Sequence, residues 1–558
     1  MVKKLLQGKL ILLLILFIAI FFRFYDLNWD QGQHLHPDER FLTMVGVDMK
    51  LPHSFGAYLN PAVSTFNPAN IKYSFYVYGI FPVVLNKLVG IAFNTDNYAD
   101  FTLDGRLLSG LADLFVVVLI FKMLELFEKR YKLDHHIKYW GAFFYAIAVL
   151  PIQLSHFFAV DTFLSTFVFA SLYCALRLAF TKHRRWLVLS ALFFGLAIGS
   201  KVTAIFISPL LFYCFLVSYT NHGKIRNKHM LILLGDLLLF GAVSYIMGRI
   251  ADPYIFQSSN FFDPRPSKLF LDNLKQLQSW SDPTAWFPPG VQWIHKLPVI
   301  FALQNLVIFG IGIGFALFVL AGIYYVIRKY RSTELLALLI WVLLFFIYQS
   351  VQVTKTMRYF LPLYPFLAIF AGIGFTLFTK HWHKVLQAVA IIVVLIWPLF
   401  FFSIYTRPHS RVTASKWIDT IIPSGSMILT ESWDDALPLP LDPPTVNTYH
   451  IEEMPVFDPD STEKWQKMNA DLSKGDYLIL SSNRGWGSIP TVPERYPKMT
   501  QFYKNLFAGK TAYKKVAEFT SYPSLNYLGL PISFPDDWSE EAFTVYDHPR
   551  VIIFQHQR

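Results

Sequence analysis

A polytopic helical membrane protein followed by a soluble α/β tail is the fold class this sequence predicts, on three observations. Of 558 residues, 54% are hydrophobic and 17% aromatic but only 16% charged, against roughly 25% charged in ordinary soluble domains. Eleven apolar runs reach or approach the length that crosses a bilayer, about 20 helical residues for roughly 30 Å of hydrocarbon. After residue 405 the composition shifts: Asp, Glu, Pro, Ser and Trp return, and no further spanning run follows.

The runs cover residues 9–25, 106–127, 139–155, 161–180, 186–200, 202–219, 230–249, 298–327, 335–353, 359–378 and 385–405. The first has the basic start of a signal peptide, but no small-residue cleavage site follows it. Arg23, Phe24 and Tyr25 instead form an interface belt, so it reads as an uncleaved span. With the N-terminus inside, the cytoplasmic connections are "EKRYKLDHHIK", "TKHRRW", "NHGKIRNKH", "RKYRSTE" and "KHWHK", all basic, as short inner loops should be. The outer face then carries a first loop over 26–105, a second over 250–297, and the tail over 406–558, beside a transmembrane part over 1–405. This requires that "YSFYVYGIFPVVLNKLVG", residues 73–90, lies at the interface as a helix and does not span. If it spanned, every later loop would invert. In the tail, "RVTASKWIDTII" has helical periodicity, and "SMILT", "DYLILSS" and "RVIIFQ" read as strands.

Composition excludes several functions. The net charge of +11 lies in short loops between spans and forms no basic face for nucleic acid. Cys174 and Cys214 both sit in apolar runs, which leaves no disulfide framework and no Cys-rich metal site. The histidines of "HLHPDERF", residues 34–41, have metal-like spacing but no complementary His/Cys set, so a divalent metal is compatible with the chain and not required by it.

The predicted topology gathers ionisable residues at the outer surface: Asp38 and Glu39 after span one, Asp161 at the head of span four, Lys201 between spans five and six, and Lys355 and Arg358 before span ten. Charges at membrane depth are costly and mark function by default. Plainer readings exist for each. Asp38 and Glu39 suit a solvated loop or a helix start after Pro37, Asp161 suits an N-cap, and Lys201 and Arg358 suit snorkelling to head groups. As a set they fit group transfer, because a carboxylate can take a proton from an attacking hydroxyl and cations can receive a departing phosphate.

The ordered stretches "HPDER", "GRLLSGLADLFVVVLIF", "LSHFFAVDTFLSTFVF", "GLAIGSKVTAIFISPLL" and "RYFLPLYPFLAIFAGIGF" resemble the bacterial, RgtA/B/C/D-like branch of the C-type (GT-C) membrane glycosyltransferases, related to protein mannosyltransferases and lipid A aminoarabinose transferases. The resemblance covers about residues 9–405. It implies a sugar donor on a polyprenyl phosphate, an acceptor protein, lipid or glycan, transfer with inversion, and no required cofactor. It further implies that Asp38 is the base, with Glu39 beside it, that Asp161 is the second acid, and that Lys201 and Arg358 lie at the lipid phosphate, to which the neighbouring Lys355 is added here from its position alone. His36, His156 and Lys72 are candidate acceptor or donor contacts. Lys72 stands near where relatives carry a Lys-Pro-Pro or Tyr-Pro-Pro stretch that this chain replaces with "IKYSFYVYG". In the tail, "ESWDDALP", residues 431–438, reads either as an acidic aromatic loop facing the active cavity or as a turn. The competing reading of the whole chain is a transporter or flippase for a lipid-linked sugar or another anion, which would also keep ionisable residues at membrane depth.

Overall fold

The computed structural model describes residues 2–219, 227–330, 332–444 and 446–557. Seven continuous helical stretches in it are long and apolar enough to cross a membrane, and two further runs pass as bent pairs. The Val2–Phe24 helix carries the first apolar run and the 16-residue Arg185–Ser200 helix the short fifth. The protein is multi-pass. The helix at the second run extends over Tyr98–Tyr131, 34 residues, or about 50 Å at 1.5 Å per residue. It therefore reaches well beyond the expected 106–127.

Two expected spans are not single helices, and that over 139–155 bends by 54° between Ile137–Ala146 and Val149–Ser155. The run over 298–327 breaks into Ile300–Ile311 and Ile313–Lys329, which meet at 112°. Gly312 makes the corner at φ +81°, a conformation that costs glycine little, and a Cβ there would come within 2.8 Å of Trp397. Elsewhere glycines let spans touch backbone to backbone: a Cβ on Gly374 of the Tyr364–His381 helix would lie 2.2 Å from the Phe318 carbonyl. Small residues at such crossings are how helices gain packing in lipid.

The stretch over 73–90 does not span. It is helical only from Phe81, in the 13-residue Phe81–Phe93 helix, about 20 Å long, and residues 73–80 run irregularly ahead of it. Lys87, an ill fit for lipid, is buried against Asp96 at 2.7 Å.

The basic connections gather at one end of the bundle. Lys380 pairs with Asp134 at 2.9 Å, the Tyr131 hydroxyl donates to Glu334, and Arg130 lies over the Phe180 ring. Residues 221–226 of "NHGKIRNKH" and Arg331 of "RKYRSTE" lie outside the described residues.

After Thr406 the chain builds a five-stranded sheet from β1 (Met427–Glu431), β2 (His450–Met454), β3 (Tyr477–Leu480), β4 (Tyr513–Phe519) and β5 (Val551–His556). The order is β2-β1-β3-β5-β4, with β1 parallel to β2 and β3, and β5 antiparallel to β3 and β4. The helix Ser410–Ile421 and strands β1, β3 and β5 match the sequence reading. The edge strands β2 and β4 escaped it because "HIEEM" and "YKKVAEF" carry the charges that keep edges from pairing with other chains.

The tail docks on the spans through a buried His548. Its Nε2 is 2.9 Å from Asp536 and its Nδ1 2.5 Å from Asp547, and Asp547 also accepts from Gln153 at 2.9 Å and from the Tyr405 hydroxyl at 3.3 Å. Burial alone would depress the imidazolium, but the two carboxylates outweigh it and push it from 6.5 to about 10. Stability from a raised group is full below its unfolded value and is lost as the pH rises through the folded one, so docking is strongest below pH 6.5 and fades toward pH 10. His548→Leu leaves two buried carboxylates facing each other and should cost about 3–5 kcal/mol. Protease sensitivity of the tail in otherwise intact membranes reads this loss; a tail as resistant as wild type up to pH 10 contradicts the assignment.

Candidate functional site

The site begins at the Pro37–Asp48 helix. His36 is its N-cap, its Nδ1 accepting the Glu39 N–H at 3.2 Å, and Pro37 takes the first helical position. Asp38 and Glu39 thus fall in the first turn, where unpaired N–H groups and the helix dipole favour carboxylates. The cap is itself clamped: the buried His36 ring lies between Phe157 and Tyr546, at centroid distances of 4.5 and 4.4 Å.

The two neighbouring acids point in different directions. Asp38 pairs with Arg358, and the Tyr78 hydroxyl also donates to it. Burial would raise the Asp38 carboxyl, but the Arg358 guanidinium outweighs burial and holds it at about 2. Glu39 is fully buried and engaged on both oxygens, by Arg106 Nε at 2.9 Å and Nη2 at 2.5 Å and by the Phe158 N–H at 2.7 Å. Arg106 also holds Asp30, with bonds of 3.0 and 2.8 Å, and lies 4.8 Å over Trp29. Glu39 therefore anchors the helix from within the protein, and Asp38 faces the other charges.

Asp161, in the first turn of the Val160–Thr181 helix, pairs with Lys201 at 2.7 Å. Lys201 sits at the break between the Arg185–Ser200 helix and the 3-10 turn Val202–Ile207, and its ammonium lies 4.4 Å over Tyr359. The Arg358 guanidinium lies 5.5 Å from the same ring. Asp38, Arg358, Lys201 and Asp161 thus form a chain of two ion pairs that meet at Tyr359, on the face opposite the basic connections. Both cations thus lie within cation–π range of one phenol ring.

The remaining candidates lie elsewhere. Lys355 is buried, bonds the Val353 carbonyl at 3.2 Å, and lines a small space with Asn305 and Tyr364, outside the ion-pair chain. His156 is enclosed, with its ring nitrogens at 2.8 and 3.0 Å from the carbonyls of Ile152 and Tyr25 and its ring stacked on Tyr405. It ties the first span to the fold, and no face of it is free for a ligand. Lys72 is exposed at φ +85°, closing the turn Pro68–Ile71. Asp38 and Asp161 each pair with a cation. Among the described residues, the one His/Cys/Asp/Glu group with ligand atoms close together is Asp134, His135 and His136, in the basic connection near Lys380 at the other end of the bundle.

The tail reaches the site through "ESWDDALP". Asp435 takes Arg40 at 3.1 Å and Arg411 at 2.7 Å, and Asp434 takes Arg411 and Ser482. The stretch turns at residues 432–433 and contacts the Pro37–Asp48 helix through Arg40, so both sequence readings stay open. Sequence reasoning missed Asp30, Arg106, Tyr78, Tyr359 and Tyr546. Only Arg106 left a signal, as a cation on an apolar helix.

Residues 101–246 match the dolichyl-phosphate-mannose-protein mannosyltransferase family. Among solved structures, the chain is similar to the Archaeoglobus fulgidus oligosaccharyltransferase tethered with an acceptor peptide, at 13% identity, with 98% of this chain and 88% of that one covered and a TM-score of 0.51. It also aligns with ArnT from Cupriavidus metallidurans bound to undecaprenyl phosphate, at 13% identity over 97% of both chains and a TM-score of 0.47. No curated protein sequence matches it. The expected architecture, a polytopic helical bundle followed by a C-terminal α/β part, is borne out at the level of the fold.

Proposed function

We propose that this chain is a membrane glycosyltransferase that moves a sugar from a polyprenyl-phosphate donor to an acceptor hydroxyl at the outer side of the cytoplasmic membrane, with inversion. The observation that carries the reading is the double ion pair around Tyr359, and the match of residues 101–246 to a family named for a dolichyl-phosphate sugar supports the donor class. The basic connections, whose described residues lie opposite the site, support the orientation.

In the reaction, the acceptor oxygen attacks the anomeric carbon as the carbon–oxygen bond to the lipid phosphate breaks. Asp38 takes the acceptor proton, and the phosphate keeps the bonding electrons. Arg358 and Lys201 receive that anion, and Asp161 fixes Lys201 and sugar hydroxyls. Glu39 acts through the helix it anchors, as a positioning residue. The resting Asp38–Arg358 pair gives the cycle an order: a carboxyl held at about 2 is a poor base, and a donor phosphate that draws Arg358 to itself releases Asp38 for the acceptor. On this reading residues 1–405 form the transferase part and 406–558 an outer part that braces it.

The test is purified protein in sealed proteoliposomes given a panel of radiolabelled polyprenyl-phosphate sugars, with label followed into lipid, protein and glycan. Transfer to one of them is expected. Lys201→Met should remove a charge-assisted contact of about 1.5–3 kcal/mol, raising donor KM roughly 10- to 150-fold. Movement of label across the bilayer without transfer would replace this reading with the transporter.

A further inference from the structure

Beside the ion pairs lies a cavity of about 390 Å³, between residues 61–80 of the first loop and residues 252–273 that follow the seventh apolar run. Its size falls in the usual range for small-ligand pockets, roughly 300–1,000 Å³. Tyr78 forms part of its wall and also donates to Asp38, so the cavity opens beside that carboxylate.

The lining has a consistent chemistry. The Tyr76 hydroxyl is buried and has no hydrogen-bond partner among the described residues, a state a buried phenol avoids unless a ligand or water completes it. Asn70 and Asn273 spend their amide N–H groups on the wall. Asn70 donates to the Pro61 and Ser64 carbonyls at 3.0 Å each, and Asn273 to those of Ser74 and Tyr76 at 2.8 and 3.3 Å. These bonds fix the amide planes and leave the carbonyl oxygens as acceptors. Asp252 is fixed in the same way, by the N–H groups of Ile80 at 3.1 Å and Tyr254 at 3.2 Å, with further lone pairs to spare. The cavity thus offers fixed acceptors, phenols and aromatic faces, with Lys268 the one cation in its lining. Phosphate or an acidic peptide would call for clustered cations or convergent N–H groups. Hydroxyl donors with apolar C–H faces are the complementary ligand.

We infer that this cavity is the acceptor subsite and that the acceptor is a neutral saccharide, one of whose hydroxyls is presented to Asp38 past Tyr78. The inference rests on the glycosyltransferase reading for the word acceptor, while the saccharide-binding claim stands on the cavity itself. Tyr76 and Asp252 hold the sugar ring, and neither takes part in the ion-pair chain.

Two variants of the full-length protein in proteoliposomes test it: Tyr76→Phe, which removes one hydroxyl that no described residue bonds, and Ala62→Trp, which fills the cavity from its rim. With the active donor and neutral disaccharides as acceptor probes, Tyr76→Phe should raise acceptor KM roughly 3- to 10-fold. Donor KM and donor hydrolysis by water should stay at wild-type values. Ala62→Trp should abolish transfer to the disaccharide while keeping that hydrolysis. A rise in donor KM with acceptor KM unchanged would assign the cavity to the donor sugar, and transfer to peptide alone would make the acceptor class wrong; either overturns the inference. If the wild type transfers no sugar at all, the transferase reading fails by itself. Hydrogen-exchange protection of residues 61–80 and 252–273 by the same disaccharides, present in wild type and absent in Ala62→Trp, then decides whether the cavity binds saccharide.

Discussion

Asp38→Asn is expected to slow sugar transfer by about 10²–10⁴-fold, the usual contribution of a positioned general base, while donor binding is kept or tightened. Both effects follow from the pair with Arg358. Asparagine cannot take the acceptor proton, and it no longer competes with the lipid phosphate for the guanidinium. A residue that served only the fold would weaken donor binding and transfer together. The pH profile separates the states further. In the resting protein the carboxyl sits at about 2; once Arg358 is shared with phosphate it returns toward the ordinary carboxylate range, about 4. The acid limb of kcat should therefore lie near that ordinary value. Stability follows the opposite rule for a depressed group: the pair contributes fully above 3.8 and is lost as the pH falls toward 2. Transfer rates and equilibrium donor binding on matched membranes check both statements. Asp38→Asn working within about threefold of wild type would rule out the base assignment, since that is far below the contribution of a general base.

Arg106→Met should destabilise the protein by about 3–5 kcal/mol, the cost of stripping the partner from a buried ion pair. Asp30 and Glu39 are 1% and 0% exposed, and Arg106 is the cation bonded to both. Losing it leaves two carboxylates without compensation beneath the helix that carries Asp38. The triple replacement Asp30→Leu, Glu39→Met, Arg106→Met should recover much of that loss, because a whole buried network exchanged for apolar groups is often neutral. Thermal melts of the full-length protein in one detergent compare the three. A triple variant no more stable than Arg106→Met would mean that the network does more than balance its own charges.

Much of the fold and part of the site were legible from residues alone, for one physical reason: lipid tolerates few solutions. A run must be about 20 residues long to cross and every backbone group must be paired within it, so apolar length announces a helix. A charge at a helix end near lipid is costly, so Asp38, Asp161, Lys201 and Arg358 stood out from a chain that is only 16% charged. The sequence by itself determined the multi-pass architecture and the central strands of the tail, and it singled out these four residues as candidates. It did not determine which charges meet. Asp38 and Arg358 are separated by 320 positions, and adjacent Asp38 and Glu39 point in different directions because successive helical residues differ by about 100°. Tertiary structure alone separated Lys355 from Arg358, broke a run at Gly312, turned Arg106 from a span boundary into the anchor of the first loop, and opened the cavity at Tyr76. Each of these depends on what packs against a residue from far along the chain, a quantity that local pattern and composition do not contain.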